Sequence, residues 1–91
     1  MSMLPGTTGR RRIYLMRHGT VDYLSPEVVR SRSTRDVVLS PRGRQEASAA
    51  GRAFAQVSFD RAICSGYPRT RETAEIVLSC IESAPPLETE I

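Results

Sequence analysis

The segment Ile13–Thr20 constrains the fold more than any other stretch, because it joins a short apolar run to a charged exit. Residues 13–16 are apolar and lie between the arginines at 10–12 and the Arg17-His18-Gly19 tripeptide. Such a run is typical of a strand that is buried on both faces of a parallel sheet. Ligands of open α/β sheets bind beyond the carboxyl ends of the strands. The segment therefore predicts a central strand with candidate binding and catalytic residues at its exit.

The chain has 91 residues, which is enough for one small domain with a modest core. We interpret residues 1–10, which contain Pro5 and two glycines, as a flexible leader, and residues 11–91 as the domain. The apolar run at 13–16 is too short for a signal peptide or a membrane span. We therefore expect no membrane association and a cytoplasmic location.

All thirteen basic residues are arginines, and the formal net charge is +3. A guanidinium group binds phosphate or carboxylate through paired hydrogen bonds. Arg30, Arg32 and Arg35 either attract an anionic substrate or form a solvated basic loop. Cys64 and Cys80 are too few for a disulfide framework, so we expect buried thiols in a reducing compartment.

The remainder of the chain predicts a long loop and then a helix. Residues 21–38 have no sustained period and predict a loop with, at most, a short helical turn. Ser40 and Pro41 are typical of an N-cap and a first helical residue. The helix that follows has a narrow face of small and apolar residues, namely Ala47, Ala50, Gly51, Phe54 and Val57.

A second strand and a second helix follow. Arg61–Cys64 predicts a strand, and the helix begins at Tyr67 or Pro68, while residues 87–91 predict the start of a third strand or a loop. The apolar face of this helix consists of Ala74, Val77, Leu78 and Ile81. A β-α-β unit crosses over to a parallel neighbour, so we expect an α/β fold with a partial three-layer parallel sheet. Because its sheet lacks a finished outer layer, the fold looks truncated.

The two strand exits predict a phosphate site. If the strands at 13–16 and 61–64 are neighbours, then Arg17 and His18 lie beside Ser65 and Arg69. A neutral imidazole can attack phosphorus while two guanidinium groups hold the phosphoryl oxygens. The plainer alternatives are a structural histidine, and arginines that only cap or solvate a helix.

Three segments resemble the histidine phosphatase superfamily, the phosphoglycerate-mutase-like enzymes. "IYLMRHGT" at 13–20 resembles its strand and Arg-His-Gly signature, and "LSPRGRQEASAAGRAF" at 39–54 is similar to its Leu-Ser/Thr-x-x-Gly-x-x-Gln-Ala helix, with Glu46 between Gln45 and Ala47. "FDRAICSGYPRTRETAEIV" at 59–77 resembles its Asp-x-x-x-x-Ser-x-x-x-Arg-x-x-x-Thr-Ala block. The order of the three segments is more specific than the tripeptide alone.

The resemblance implies a phosphomonoester hydrolase that acts through a phosphohistidine on a small phosphorylated substrate, without a metal or another cofactor. His18 becomes the nucleophile, and Arg17 and Arg69 become the phosphate clamps. "PLETEI" at 86–91 resembles the segment that carries the family's proton-donating glutamate, so Glu90 is the expected general acid and Glu88 the fallback. A phosphoglycerate-mutase-like phosphotransferase is the alternative within the family.

The sequence also departs from the family. Members carry a second histidine in a later strand and have domains about twice this length, whereas His18 is the only histidine here. We expect residues 11–91 to be the N-terminal part of such a domain, so that the chain is a fragment, or else a chain completed by an oligomer or a partner, or a noncatalytic remnant. Activity of the 91 residues themselves is therefore an open question.

Two rivals lie outside the family. A cysteine phosphatase needs five residues between its cysteine and its arginine, whereas only four separate Cys64 from Arg69. An arginine-rich module that binds nucleic acid, or acts as a scaffold, would fit the charge but lacks a gathered stacking surface. We expect neither.

Overall fold

A computed structural model describes residues 12–31 and 33–90. The elements in chain order are α1 (Pro26–Ser31), α2 (Pro41–Ala53), β1 (Ala62–Ser65), α3 (Pro68–Ser79) and β2 (Leu87–Glu90). β1 and β2 form a parallel pair that runs from Ala62 opposite Leu87 to Ser65 opposite Glu90. The α/β class is thereby confirmed, with β1 one residue later than predicted. The leader at 1–10, Arg32 and Ile91 lie outside the described residues.

Helix α2 begins as its sequence predicts. The Ser40 side chain accepts a hydrogen bond from the Gly43 N–H (3.1 Å), and Pro41 occupies the first turn, where no N–H is required. The helix ends at Ala53, and the C-cap Phe54 donates its N–H to the Ala50 carbonyl. Val57 therefore lies beyond the helix, and its predicted place on the helical face is wrong.

Helix α3 packs against α2 and forms the core with it. It begins at Pro68, as predicted, with Tyr67 as an N-cap that makes no side-chain cap bond. Ala47 of α2 and Val77 and Ile81, in and just after α3, are buried together. Partly buried apolar residues surround this cluster: Ala50, Phe54, Phe59, Ile76, Leu78 and Ala84. Cys64 is buried, as expected, and Cys80 is half-buried.

The predicted first strand is the main point on which the structure differs. Residues 12–20 belong to no strand, and β1 pairs with β2 rather than with them. Tyr14 packs edge-on against Phe54 and Phe59, with ring centroids 5.4 and 5.3 Å away. Ile13 and Leu15 are 81% and 90% exposed, whereas Tyr14 and Met16 are 42% and 46% exposed. Burial on both faces is therefore wrong for the described residues, which cover only the side of Tyr14.

The segment before α2 is mostly irregular. It contains the six-residue helix α1, in agreement with the predicted short turn, and an isolated antiparallel bridge between Val21 and Leu39. Among residues 12–31 and 33–90, no helix has both the length and the apolar character needed to cross a membrane.

Candidate active site

The imidazole of His18 is oriented by a hydrogen bond to the neighbouring residue, Gly19. Its Nδ1 lies 2.7 Å from the Gly19 carbonyl oxygen. A carbonyl oxygen can only accept, so this hydrogen bond requires the ring proton on Nδ1 and leaves the lone pair of the neutral ring on Nε2. His18 is half-buried in a shallow pocket of about 330 Å³. The pocket is lined by Arg17, His18, Gly19, Thr20, Val21, Tyr23 and Glu46.

Two glycines let the Arg-His-Gly turn cross the first turn of α2 at close range. A Cβ on Gly19 would lie 2.5 Å from the Gly43 carbonyl oxygen. A Cβ on Gly43 would overlap the Thr20 carbonyl oxygen and lie 2.8 Å from the Thr20 nitrogen. Both positions therefore require glycine, because the groups in the way belong to the backbone.

The N-terminal end of α2 also binds this turn through polar groups. The Ser40 N–H and hydroxyl both donate to the Thr20 carbonyl oxygen, at 2.9 and 3.0 Å. The Thr20 N–H and hydroxyl both donate to Oε1 of Glu46, each at 2.8 Å. The hydrogen bond from the Thr20 backbone, followed by the bond from its side chain, lowers the pKa of Glu46. The carboxylate is therefore ionised at neutral pH, beside Arg17 and His18.

A buried threonine joins the turn to α3. Thr73 is only 3% exposed, and its hydroxyl accepts the Gly19 N–H (3.0 Å) and donates to the Arg69 carbonyl (2.7 Å). It lies four residues before Val77, on the buried face of α3. Thr73 thus links the Gly19 N–H to the backbone carbonyl of Arg69, although residues 13–16 form no strand.

Arg69 lies at the start of α3, outside the lining of the His18 pocket. One terminal nitrogen donates to the Thr34 carbonyl (3.0 Å), and the guanidinium lies over the Tyr67 ring, 4.5 Å from its centroid. Its Nε is buried and has no hydrogen-bond partner among the described residues. A buried donor without a partner is costly, so this atom favours an acceptor such as a phosphoryl oxygen.

The two candidate acids differ in their surroundings. Glu88 is bound by Arg61 through two hydrogen bonds, Nε to Oε2 (3.0 Å) and Nη2 to Oε1 (2.6 Å). The side-chain hydrogen bonds from Arg61 lower the pKa of Glu88. Glu90 is exposed and lies opposite Ser65 at the carboxyl ends of the two parallel strands. Glu88 is therefore held as a carboxylate away from that edge, whereas Glu90 lies at it.

A second groove adjoins the His18 pocket through Val21 and Asp22. It has a volume of about 520 Å³ and lies between α1 and residues 33–41. Val28, Val37 and Leu39 contribute apolar surface, and Asp36 and several serines contribute polar groups. Within the described ranges, no group of three or more histidine, cysteine or acidic residues is arranged to hold a metal ion.

Of the predicted site residues, the structure gathers Arg17 and His18 in one pocket, and it brings Arg69 near through Thr73. Glu90 lies at the strand ends, without a described contact to that pocket. Glu46 was not predicted as a site residue, nor was Thr73. Thr73 carried two signals in the sequence, a hydroxyl at helical spacing from Val77 and Ile81 and the threonine position of the family block at 59–77. Glu46 also carried a signal, because it occupies the Gln position of the Leu-Ser/Thr-x-x-Gly-x-x-Gln-Ala pattern when that pattern is counted from Gly43.

Comparison with known proteins identifies the family. Two solved structures share the fold: the protein histidine phosphatase SixA complexed with tungstate (TM-score 0.67, 22% identity) and a putative alpha-ribazole-5'-P phosphatase from Escherichia coli (TM-score 0.64, 25% identity). Each match covers 82% of this chain, which spans 46% of the first protein and 36% of the second. No curated protein matches the sequence. A family model matches residues 13–90, and the chain belongs to the histidine phosphatase superfamily (branch 1).

Proposed function

We propose that this chain carries the nucleophile of a phosphomonoester hydrolase that acts through phospho-His18. Family membership supports a phosphatase or mutase-like function in general. The observation that carries the finer proposal is the 2.7 Å contact between His18 Nδ1 and the Gly19 carbonyl, because it leaves Nε2 free to attack a phosphoryl group in the pocket that Arg17 lines.

In the first step, the Nε2 lone pair of His18 forms a bond to phosphorus and the bond from phosphorus to the alcohol oxygen breaks. The guanidinium groups of Arg17 and Arg69 hold the phosphoryl oxygens, and the buried Nε of Arg69 gains an acceptor. Glu90 donates its proton to the departing alkoxide. In the second step Glu90 takes a proton from water, which attacks phosphorus, and the phosphorus–nitrogen bond breaks to release phosphate.

Glu90 is the better candidate for the acid because a general acid must be protonated when the leaving group departs. The paired hydrogen bonds from Arg61 favour the ionised form of Glu88, which opposes that role. A phosphotransferase would differ only in the second step, where a substrate hydroxyl would replace water. The groove beside the pocket is the proposed place for the alcohol part of a small phosphorylated substrate.

We also propose that further polypeptide, from a longer chain, an oligomer or a partner chain, completes this site. Two observations support this proposal. The chain spans less than half of each matched structure, and Ile13, Leu15 and Ile63 (50%) expose apolar side chains beside the site's scaffold.

The test is hydrolysis of an aryl phosphate, with a metal chelator present, by the wild-type chain and by His18→Ala. We expect alcohol release and a covalent phosphoryl group, detected by intact mass, in the wild type alone. Arg52→Ala, an exposed change in α2, is the matched control and should behave as the wild type. Phosphorylation that persists in His18→Ala would refute the proposed nucleophile, and a folded wild type that gains no phosphoryl group would refute a self-sufficient site.

The acid is tested by comparing aryl with alkyl phosphates. An alkoxide needs protonation far more than a phenolate, so Glu90→Gln should lower alkyl phosphate hydrolysis by about 10² to 10⁴ and aryl phosphate hydrolysis much less. Glu88→Gln is the matched control and should lower both rates alike or not at all. If Glu88→Gln, and not Glu90→Gln, selectively lowers alkyl phosphate hydrolysis, then Glu88 is the general acid.

A further inference from the structure

One peptide group joins His18 to Glu46. Its carbonyl end, the Gly19 oxygen, lies 2.7 Å from His18 Nδ1, and its amide end, the Thr20 N–H, donates to Glu46 Oε1 at 2.8 Å. A trans peptide group is planar, with its C=O and N–H pointing in opposite directions. The imidazole and the carboxylate therefore bind opposite ends of the same rigid unit.

We propose that Glu46 is a positioning residue that acts on His18 through the Gly19–Thr20 peptide group, keeping the ring proton on Nδ1 and the lone pair on Nε2. This inference rests on the proposed function only in that Nε2 is the attacking atom. Glu46 does not touch the ring. Glu46 fixes the direction of the Gly19 carbonyl, which accepts the hydrogen bond from the ring.

The chemistry of the three groups supports this linkage. A carboxylate is a stronger acceptor than a neutral oxygen, and hydrogen bonds to charged groups are shorter and stronger. When a peptide N–H binds a negative oxygen, electron density shifts toward its carbonyl, which then accepts more strongly from the next donor. The hydrogen bonds from Thr20 that lower the pKa of Glu46 keep it ionised, so the strong acceptor is present at neutral pH.

The position of the carboxylate is well determined. Glu46 lies on the same helix as Gly43, which contacts Thr20 directly, and six residues after the N-cap Ser40, which binds the Thr20 carbonyl. Arg42 lies 3.6 Å from Oε2 of Glu46, so the two carboxylate oxygens have different partners. The Thr20 hydroxyl adds a second bond to Oε1 (2.8 Å). The Gly19–Thr20 peptide group is consequently fixed by His18 at its carbonyl, by Glu46 at its N–H and by the close approach of Gly43.

The test uses nitrogen-15 NMR of the imidazole, which is unambiguous because the chain has only one histidine. In the wild type we expect Nδ1 to be protonated and Nε2 to be unprotonated when the ring is neutral. Glu46→Gln keeps an acceptor oxygen but removes the charge. We expect the Thr20 amide proton and the His18 Nδ1 nitrogen both to shift in the direction of weaker hydrogen bonding, with the tautomer retained. In Glu46→Ala we expect a mixture of tautomers.

Glu82→Gln is the matched control, because Glu82 is exposed in the turn after α3, and it should leave both resonances unchanged. A Thr20 shift without any His18 shift in Glu46→Gln would overturn the proposal, and so would a folded Glu46→Ala chain with the wild-type tautomer. If Glu46→Ala does not fold, the correlated shifts in Glu46→Gln decide the question alone. The readout needs no turnover, so the His18 tautomer is decided separately from whether the chain has phosphatase activity.

Discussion

Gly43→Ala is the substitution that tests the site's scaffold most directly. In an ordinary helix, alanine in place of glycine is favourable by about 1 kcal/mol. Here the new Cβ would overlap the Thr20 carbonyl oxygen and lie 2.8 and 3.0 Å from the Thr20 nitrogen and carbonyl carbon. These atoms are backbone, so they move only if the Arg-His-Gly turn moves with them.

The size of the effect follows from these two opposing contributions. Overpacking in a well-packed region costs typically about 1–3 kcal/mol, and a backbone obstacle favours the upper part of that range. The helix-propensity gain offsets part of this cost, and it is reduced in the first turn of α2. We expect net destabilisation of roughly 1–2 kcal/mol. For a domain of this size each kcal/mol lowers Tm by about 4–8 °C.

The assay is thermal and urea unfolding followed by circular dichroism, with Gln45→Ala as the control. Gln45 is exposed in the same helix, so its substitution should change stability by less than about 0.5 kcal/mol. The Gly19 and Thr20 amide resonances should shift in Gly43→Ala and stay in place in the control. A Gly43→Ala chain that is more stable than the wild type, as propensity alone predicts, would refute the close backbone approach.

Three further changes have defined outcomes. Thr73→Val should cost about 1–3 kcal/mol in urea unfolding, because it leaves the buried Gly19 N–H without its acceptor, and a neutral result would contradict that bond. Leu15→Ser should change stability by less than about 0.5 kcal/mol, because Leu15 is 90% exposed, and a larger loss by the same measurement would show that it is buried in solution. Stability should also depend on pH through three carboxylates, Glu46, Glu72 and Glu88. Their folded pKa values are lowered below 4.5, so their contribution is full above that pH and is lost as the pH falls below it, and a Tm that stays constant from about pH 5 to about pH 3 would contradict this.

Glu72 illustrates how these shifts arise from contacts between distant segments. Partial burial opposes ionisation of Glu72, but the hydrogen bonds from the Arg44 side chain (2.6 Å) and the Leu39 N–H (3.0 Å) outweigh it, and the pKa is lowered. These bonds join α3 to α2 and to the loop before it. Acid would therefore weaken the connection between the two helices that support the candidate site.

The helices could be predicted from the sequence because their signals are local. Ser40 and Pro41 specify where α2 begins, and Pro68 does the same for α3. The prediction of a strand at 13–16 was wrong for a physical reason. An apolar run indicates that burial of its side chains is favourable, but it does not indicate which surfaces of the fold are available to cover them. Tyr14 packs against Phe54 and Phe59, whereas Leu15 is 90% exposed.

The candidate site likewise contains residues that the sequence indicates and residues whose place depends on packing. Arg17 and His18 were predictable because the chemistry and the turn lie in one tripeptide. Thr73 and Glu46 act on that turn from 54 and 26 residues away, so their roles depend on how α2 and α3 pack. The family resemblance alone favoured Glu90 over Glu88, and the contact between Arg61 and Glu88 adds a reason that no spacing rule indicates.

The segment that carries His18 is held in place by the helices and not by the two strands. The described hydrogen bonds and close approaches to Gly19 and Thr20 from other segments come from α2, from the cap before it and from α3, and none of them comes from β1 or β2. The backbone beside His18 is therefore held by helix packing, whereas Ile13 and Leu15 are exposed in a segment that forms no strand.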